Sequence, residues 1–179
     1  MVEYFPYAQI TEAEYSSQCI TDWNKYIRPT LAPGQSERLT VTQCDQEIVS
    51  DLERVWGSGG FDIVIEDGGH SMKQQQTTFH TLWPKMKPGS LYFFEDLHTS
   101  YITGSYGGGD MKRPANRVAA DASNSWENYN SVEFIMQLFD DMHSGFYQKK
   151  RKEVFYEAHD IAAFECIRGL CVFRKGDRP

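Results

Sequence analysis

The chain has 179 residues, 40% of them hydrophobic and 24% charged, the profile of one soluble globular domain with a sizeable core. Its formal net charge of −7 argues against a nucleic-acid partner, because such proteins present a basic face. No stretch approaches the roughly 20 apolar residues of a membrane span, and the start, Met1-Val2-Glu3-Tyr4, has no signal-peptide pattern, so no membrane contact and a cytoplasmic setting are expected.

In chain order, residues 7–14 read as a short strand. Tyr15, Cys19, Trp23, Tyr26 and Ile27 then recur at helical spacing until Pro29 and the Ala-Pro-Gly at 32–34 end the segment. Residues 38–44 alternate as a strand. Ile48, Val49, Leu52, Val55 and Trp56 line one helix face, stopped by the glycines after Trp56. Residues 61–67 have a continuous apolar middle, as expected of a strand buried on both faces. Residues 71–86 form a helix with Met72, Phe79, Leu82, Trp83 and Met86 inward. After the Pro88-Gly89 turn, residues 91–96 form another buried strand. Residues 99–125 read as a long loop, flexible around Gly104 to Gly109, of a length usually kept for function. Val132, Ile135, Met136, Phe139 and Met142 mark a further helix. The run Lys149-Lys150-Arg151-Lys152 reads as a solvated end or loop. Strands near 161–167 and 170–174 flank the short Arg168-Gly169 turn of a hairpin. Cys19, Cys44, Cys166 and Cys171 lack metal-type spacing and read as reduced thiols.

Alternating strands and helices imply a parallel sheet with right-handed crossovers, and ligands of such sheets bind at the carboxyl ends of the strands. Two strands end in acids here. Glu66-Asp67 is followed by Gly68-Gly69-His70, and Glu95-Asp96 by Leu97-His98. Up to four carboxylates and two imidazoles on one rim repel strongly unless something compensates, and a hard divalent cation suits oxygen ligands. Taken alone, either aspartate reads first as a helix cap or an exposed loop acid; the two pairs together, at adjacent strand ends, point to a metal or substrate site. His70, freed by two preceding glycines, is a candidate general base.

The run from Phe61 to His70, then Thr78-Phe79, Leu82-Trp83-Pro84, Lys87-Pro88-Gly89 and Glu95 to Tyr101, resembles the macrocin- and mycinamicin-type sugar O-methyltransferases and their cephalosporin-hydroxylase-like relatives. The resemblance implies a Rossmann-like α/β fold over residues 1–179. It would have a mostly parallel sheet, helices on both faces and a closing antiparallel hairpin. It implies a class I S-adenosylmethionine-dependent methyltransferase acting on a hydroxyl of a small molecule, such as a glycoside or secondary metabolite. Magnesium or a similar divalent ion would sit on Asp67, Glu95 and Asp96, with Asp67 also bordering the cofactor and His70 taking the hydroxyl proton. On the cofactor side, Glu14 would bond the ribose, or act as a first-turn helix acid. Asp45 and Gln46 would lie by the adenine, Asp45 competing as a helix N-cap. His98, Tyr101 and Tyr106 belong to a tract at 98–109 expected as a mobile lid or an acceptor wall, and Trp126 could stack on a ring or pack in the core.

One departure weakens the cofactor assignment. In the family a central first strand and a glycine-rich loop precede the Tyr4-Phe5-Pro6 element, which here begins almost at Met1. The strands at 7–14 and 61–67 are therefore expected to lack their shared neighbour. The chain is then a fragment, a protein completed by a partner or a second copy, or a non-catalytic binding module in which the two strands pair directly. A metal-dependent hydrolase reusing the same acids is a weaker option.

Overall fold

The computed structural model describes residues 2–57, 60–109, 129–144 and 156–177. Trp126, the basic run at 149–152 and the expected loop beyond residue 109 lie outside the described residues. The chain forms two compact units, Met1–Gly57 and Ser58–Pro179.

In the first unit, β1 (Ile10–Glu14) and β2 (Leu39–Gln43) pair in parallel, Ile10 opposite Leu39 and Glu14 opposite Gln43. The connection begins as α1 (Ser17–Asp22), capped by the Ser16 hydroxyl accepting from the Cys19 amide. A π-type turn (Trp23–Ile27) and a 3₁₀ turn (Arg28–Thr30) continue it to where Pro29 breaks the pattern. α2 (Val49–Trp56) follows β2 and stops at Gly57, whose φ of 58° favours glycine. The Arg38 guanidinium fastens the segment ahead of β1, donating to the carbonyls of Val2, Phe5 and Ala8 at 3.3, 2.9 and 2.9 Å. The helical spacing was legible, but the inward faces were only partly so. Leu52 and Trp56 are buried, whereas Ile48, Val49, Tyr15, Tyr26 and Ile27 are exposed. Two strands offer too little apolar surface to cover both helical segments.

The second unit carries a four-stranded mixed sheet in the order β3-β4-β6-β5, from β3 (Ile63–Glu66), β4 (Leu91–Phe94), β5 (Ile161–Ile167) and β6 (Leu170–Lys175). β3 and β4 are parallel, joined by α3 (Met72–Leu82). β5 and β6 form the expected antiparallel hairpin, and β6 lies antiparallel to β4. α4 (Ser131–Ser144) precedes the hairpin, and Asn130 and Glu133 exchange cap hydrogen bonds at its start. This is a Rossmann-like α/β arrangement. β1 pairs only with β2, and β3 only with β4, so the direct β1–β3 pairing considered above does not occur among the described residues.

The core of this unit is aromatic. Phe79 stacks on Trp83 at 5.1 Å and meets Tyr92, Phe94 and Phe134 at 5.2–5.3 Å between ring centroids. All five rings are fully buried. Beneath them the Lys175 ammonium sits 2.8 Å from the Asp160 carboxylate and 3.0 Å from the Trp83 carbonyl. Two expectations are corrected. β3 is not buried on both faces, since Ile63 and Ile65 are each 42% exposed on an edge strand. Cys166 and Cys171 are not reduced: they face each other across the hairpin, Cα–Cα 4.1 Å, and are joined by a disulfide. Their register is a product of the hairpin turn, which sequence spacing did not reveal. Cys19 and Cys44 stay free.

Candidate functional site

The rim at the ends of β3 and β4 gathers most of the residues singled out above. The alternation of a strand sends neighbouring side chains to opposite faces. Glu66 therefore turns inward and is buried. It stands near Tyr92, whose hydroxyl is pushed well above its ordinary titration range by burial first and by the Glu66 charge second. Glu66 thus leaves the rim set, a correction that strand alternation could have supplied. Asp67, one residue further, emerges at the rim. The His70 Nε2 lies 3.8 Å from Asp67 Oδ1 and 3.4 Å from Asp96 Oδ2. One ligand atom from each of Asp67, His70 and Asp96 falls within 4.8 Å of the others. The carboxylates are half-exposed, at 60% and 50%, while His70 is only 16% exposed.

Glu95 is a neighbour of this trio rather than a member of it. Its carboxyl is raised above the ordinary value, first by burial and then by the charges of Asp67 and Asp96, with His70 acting the other way. Burial is the larger cause, and the share that comes from Asp67 and Asp96 is the repulsion expected of acids crowded without a counter-charge. The donor set of two or three carboxylate oxygens beside an imidazole suits a hard divalent ion. The buried His70 Nδ1, which has no hydrogen-bond partner among the described residues, leaves Nε2 as the ring nitrogen facing the acids.

The backbone is held as closely as the side chains. Ser71 and Gln74 form a capping box at the start of α3, each side chain bonding the other's amide. A Cβ at Gly69 would meet the flexible end of the Gln74 side chain and displace it from the capping box. Gln75, fully buried, donates to the Glu95 carbonyl at 2.7 Å. The Leu97 amide donates to the Gly169 carbonyl in the β5–β6 turn at 3.0 Å. His70 and Asp96 both adopt left-handed backbone, φ 55° and 50°. Such conformations cost a side-chain-bearing residue on the order of 1 kcal/mol and persist where surroundings enforce them. The Ser71…Gln74 signature was readable in the sequence; the role of Gln75 carried no signal there.

The expected acceptor residues divide. His98 Nδ1 lies 3.7 Å from Asp96 Oδ1 and is 62% exposed. Tyr101 ends a 3₁₀ turn (Leu97–Tyr101) and is exposed, so residues 99–101 belong to a helical turn rather than to the expected loop. The Tyr106 carbonyl accepts from the Met72 amide at 2.9 Å, and the Gly109 amide donates to the Ser100 carbonyl at 2.9 Å. Gly108 packs against the carbonyls of Thr99 and Ser100, where no Cβ would fit. The tract at 98–109 is pinned to α3 and to its own first turn.

In the first unit, Glu14, Asp45 and Gln46 lie at or just beyond the ends of β1 and β2. A cleft of about 580 Å³ there is lined by Tyr15, Ser16, Ser17, Gln43, Asp45, Asp51 and Arg54. The Glu14 carboxylate accepts from the Ser16 amide at 2.7 Å, ahead of α1 rather than within its first turn. Asp45 is not the N-cap of α2, a position held by Ile48; it closes its own turn by accepting from the Glu47 amide at 2.9 Å. The Asp45 amide donates to Asp51, whose carboxyl is held below its ordinary value by that bond and by Arg54 at 3.2 Å.

A Rossmann-like unit with an acidic rim at its parallel strand ends defines a class, and the chain belongs to the methyltransferase domain family, whose profile matches residues 7–97. Among characterised proteins it is similar to the 8-demethyl-8-(2-methoxy-alpha-L-rhamnosyl)-tetracenomycin-C 3'-O-methyltransferase of Streptomyces olivaceus. The two are 32% identical over 142 residues, covering 78% of this chain and 33% of that protein. It is also similar to the demethylmacrocin O-methyltransferase of Streptomyces fradiae, 40% identical over 78 residues, covering 43% and 20%. Among solved structures, the MycE methyltransferase of the mycinamycin pathway, in complex with Mg and SAH, superposes with a TM-score of 0.73 at 25% identity, over 99% of this chain and 40% of that one. The chain spans about a third of the length of the first of these relatives. No helix among the described residues is long and apolar enough to cross a membrane.

Proposed function

We propose that residues 1–179 act as a single methyltransferase domain that transfers a methyl group from S-adenosylmethionine to a hydroxyl of a small molecule, with help from magnesium or a similar divalent ion. The convergence of Asp67, His70 and Asp96 at adjacent strand ends carries this reading. The related MycE structures support it, holding Mg and SAH and, in one case, mycinamycin VI. A glycoside or other secondary metabolite is accordingly the acceptor class.

Asp67, Asp96 and Glu95 would hold the ion, whose contribution is to lower the pKa of an acceptor hydroxyl. His70 Nε2, which lies 3.8 Å from Asp67 Oδ1 and 3.4 Å from Asp96 Oδ2, would accept the hydroxyl proton. Half-exposed acids leave the acceptor a direct approach. His98 and Tyr101, both exposed beside Asp96 in sequence, would touch the acceptor, while Tyr106 contributes through the backbone it pins. S-adenosylmethionine supplies the methyl group. Glu14, Asp45 and Gln46 are assigned to its ribose and adenine, supported by the cleft that Asp45 lines. Asp67 is assigned to the cofactor as well as to the ion. A second copy or a partner is assigned to the edges of β1 and β3 that are unpaired among the described residues. The cytoplasm is the assigned setting, since it keeps thiols such as Cys19 and Cys44 reduced; the Cys166–Cys171 link points the other way.

Calorimetry with magnesium and with S-adenosylmethionine tests this. Wild type binds magnesium, and Asp67→Ala and Glu95→Ala lose it by tenfold or more. Equal magnesium binding by all three proteins refutes the metal assignment. Magnesium binding with no S-adenosylmethionine binding would instead identify the non-catalytic module.

A further inference from the structure

We propose that Thr99 is the positioning residue that holds His70 and Asp96 in their working backbone conformation, an inference that rests on the metal-site reading above. Among the described residues, His70 and Asp96 are the non-glycine residues with left-handed backbone, and both contribute to the rim. They belong to different segments, one after β3 and one after β4. A single buried hydroxyl joins them. Thr99 Oγ1 donates to the His70 carbonyl at 3.0 Å and to the Asp96 carbonyl at 2.9 Å, a shared three-centre bond.

The Thr99 amide also donates to the Asp96 carbonyl at 2.9 Å, so the residue grips Asp96 twice. Thr99 is itself well anchored. It is 2% exposed, its carbonyl accepts from the Ile102 amide at 3.0 Å, and Gly108 packs directly on that carbonyl. The geometry has a chemical consequence. A turn from left-handed to ordinary backbone at either residue would swing its side chain away, and the 3.4 Å approach of His70 Nε2 to Asp96 Oδ2 would be lost. The Thr99 hydroxyl touches no reacting atom. It acts by fixing where the base and one metal ligand point, the role usual for groups just behind a metal site.

The full chain is compared with Thr99→Ser, Thr99→Val and Thr99→Ala, after circular dichroism has confirmed folding. Thr99→Ser keeps the hydroxyl; the other two remove it, Thr99→Ala without adding bulk should Thr99→Val not fold. The first readout needs no metal: backbone carbon chemical shifts of His70 and Asp96, which report left-handed conformation. Wild type and Thr99→Ser are expected to share that signature, and Thr99→Val and Thr99→Ala to lose it at one or both residues. The second readout is Mn2+ affinity by electron paramagnetic resonance, expected to fall about tenfold to hundredfold without the hydroxyl and to stay within about threefold for Thr99→Ser. Left-handed signatures surviving in both hydroxyl-free variants would overturn the proposal, as would a Thr99→Ser variant as impaired as Thr99→Val. If wild type binds no Mn2+, the metal reading falls while the shift comparison still decides the role of Thr99.

Discussion

Replacing Asp96 with asparagine separates the electrostatics of the rim from its architecture. Asparagine tolerates the left-handed backbone at this position, so the change removes charge while sparing the turn. Ligand oxygens of Asp67 and Asp96 lie within 4.8 Å of each other, and both side chains are at least half exposed. Two unit charges at that separation repel by about 0.9 kcal/mol in water, and 0.15 M salt screens roughly half of this. At pH 8, where imidazoles are ordinarily neutral, the metal-free Asp96→Asn protein should therefore be more stable than wild type by about 0.5–1 kcal/mol in low salt. A divalent ion reverses the order. At a hundred times its dissociation constant the ion stabilises wild type by about 2.7 kcal/mol. A variant with hundredfold weaker binding gains only about 0.4 kcal/mol under the same conditions. Urea denaturation in chelator and then in Mn2+ reads both arms, and the expected result is a crossing of the two stability rankings. A variant less stable than wild type in chelator, or stabilised equally by Mn2+, would refute the idea that crowded acids here await a cation.

The remaining predictions concern the scaffold. Lys175→Met removes the cation 2.8 Å from a fully buried Asp160 carboxylate, so it should cost about 3–5 kcal/mol, a fall of roughly 9–15 °C in Tm, while Lys175→Met/Asp160→Leu recovers much of the loss; additive effects in the double variant would deny the coupling. Glu157 is subject to burial, which raises its pKa, but its 2.7 Å bond to His80 prevails and holds the carboxyl below its ordinary 4.5. A depressed folded-state value means that its stabilisation is complete above the ordinary range and disappears as pH falls through the depressed one. Glu157→Gln should accordingly lower stability at pH 7 and flatten the acid limb of a stability–pH curve between about pH 5 and 3; an unchanged acid limb would remove Glu157 from that role.

Much of this protein was legible before any coordinates, and the reasons differ by element. Helical spacing located α3 because Met72, Phe79 and Leu82 are large and one helix face must bury them, although the expected helix to residue 86 gives way to a 3₁₀ turn (Trp83–Lys85) in which Trp83 is still buried. The two-residue separation of β5 and β6 foretold the hairpin, since so short a turn permits only antiparallel pairing. Acids and histidines just past two apolar strands marked the rim, because parallel strands deliver their carboxyl ends to one edge. Tertiary structure decided what depends on side-chain direction and on distant partners. It turned Glu66 inward, brought His70 between Asp67 and Asp96, and gave Ile63 and Ile65 an edge rather than a covered centre. It joined Cys166 to Cys171 and set one threonine hydroxyl between carbonyls 29 and 3 residues away in sequence. Periodicity is a local property and survives in the order of residues. A hydrogen bond or close approach between segments exists only once the backbone between them has folded.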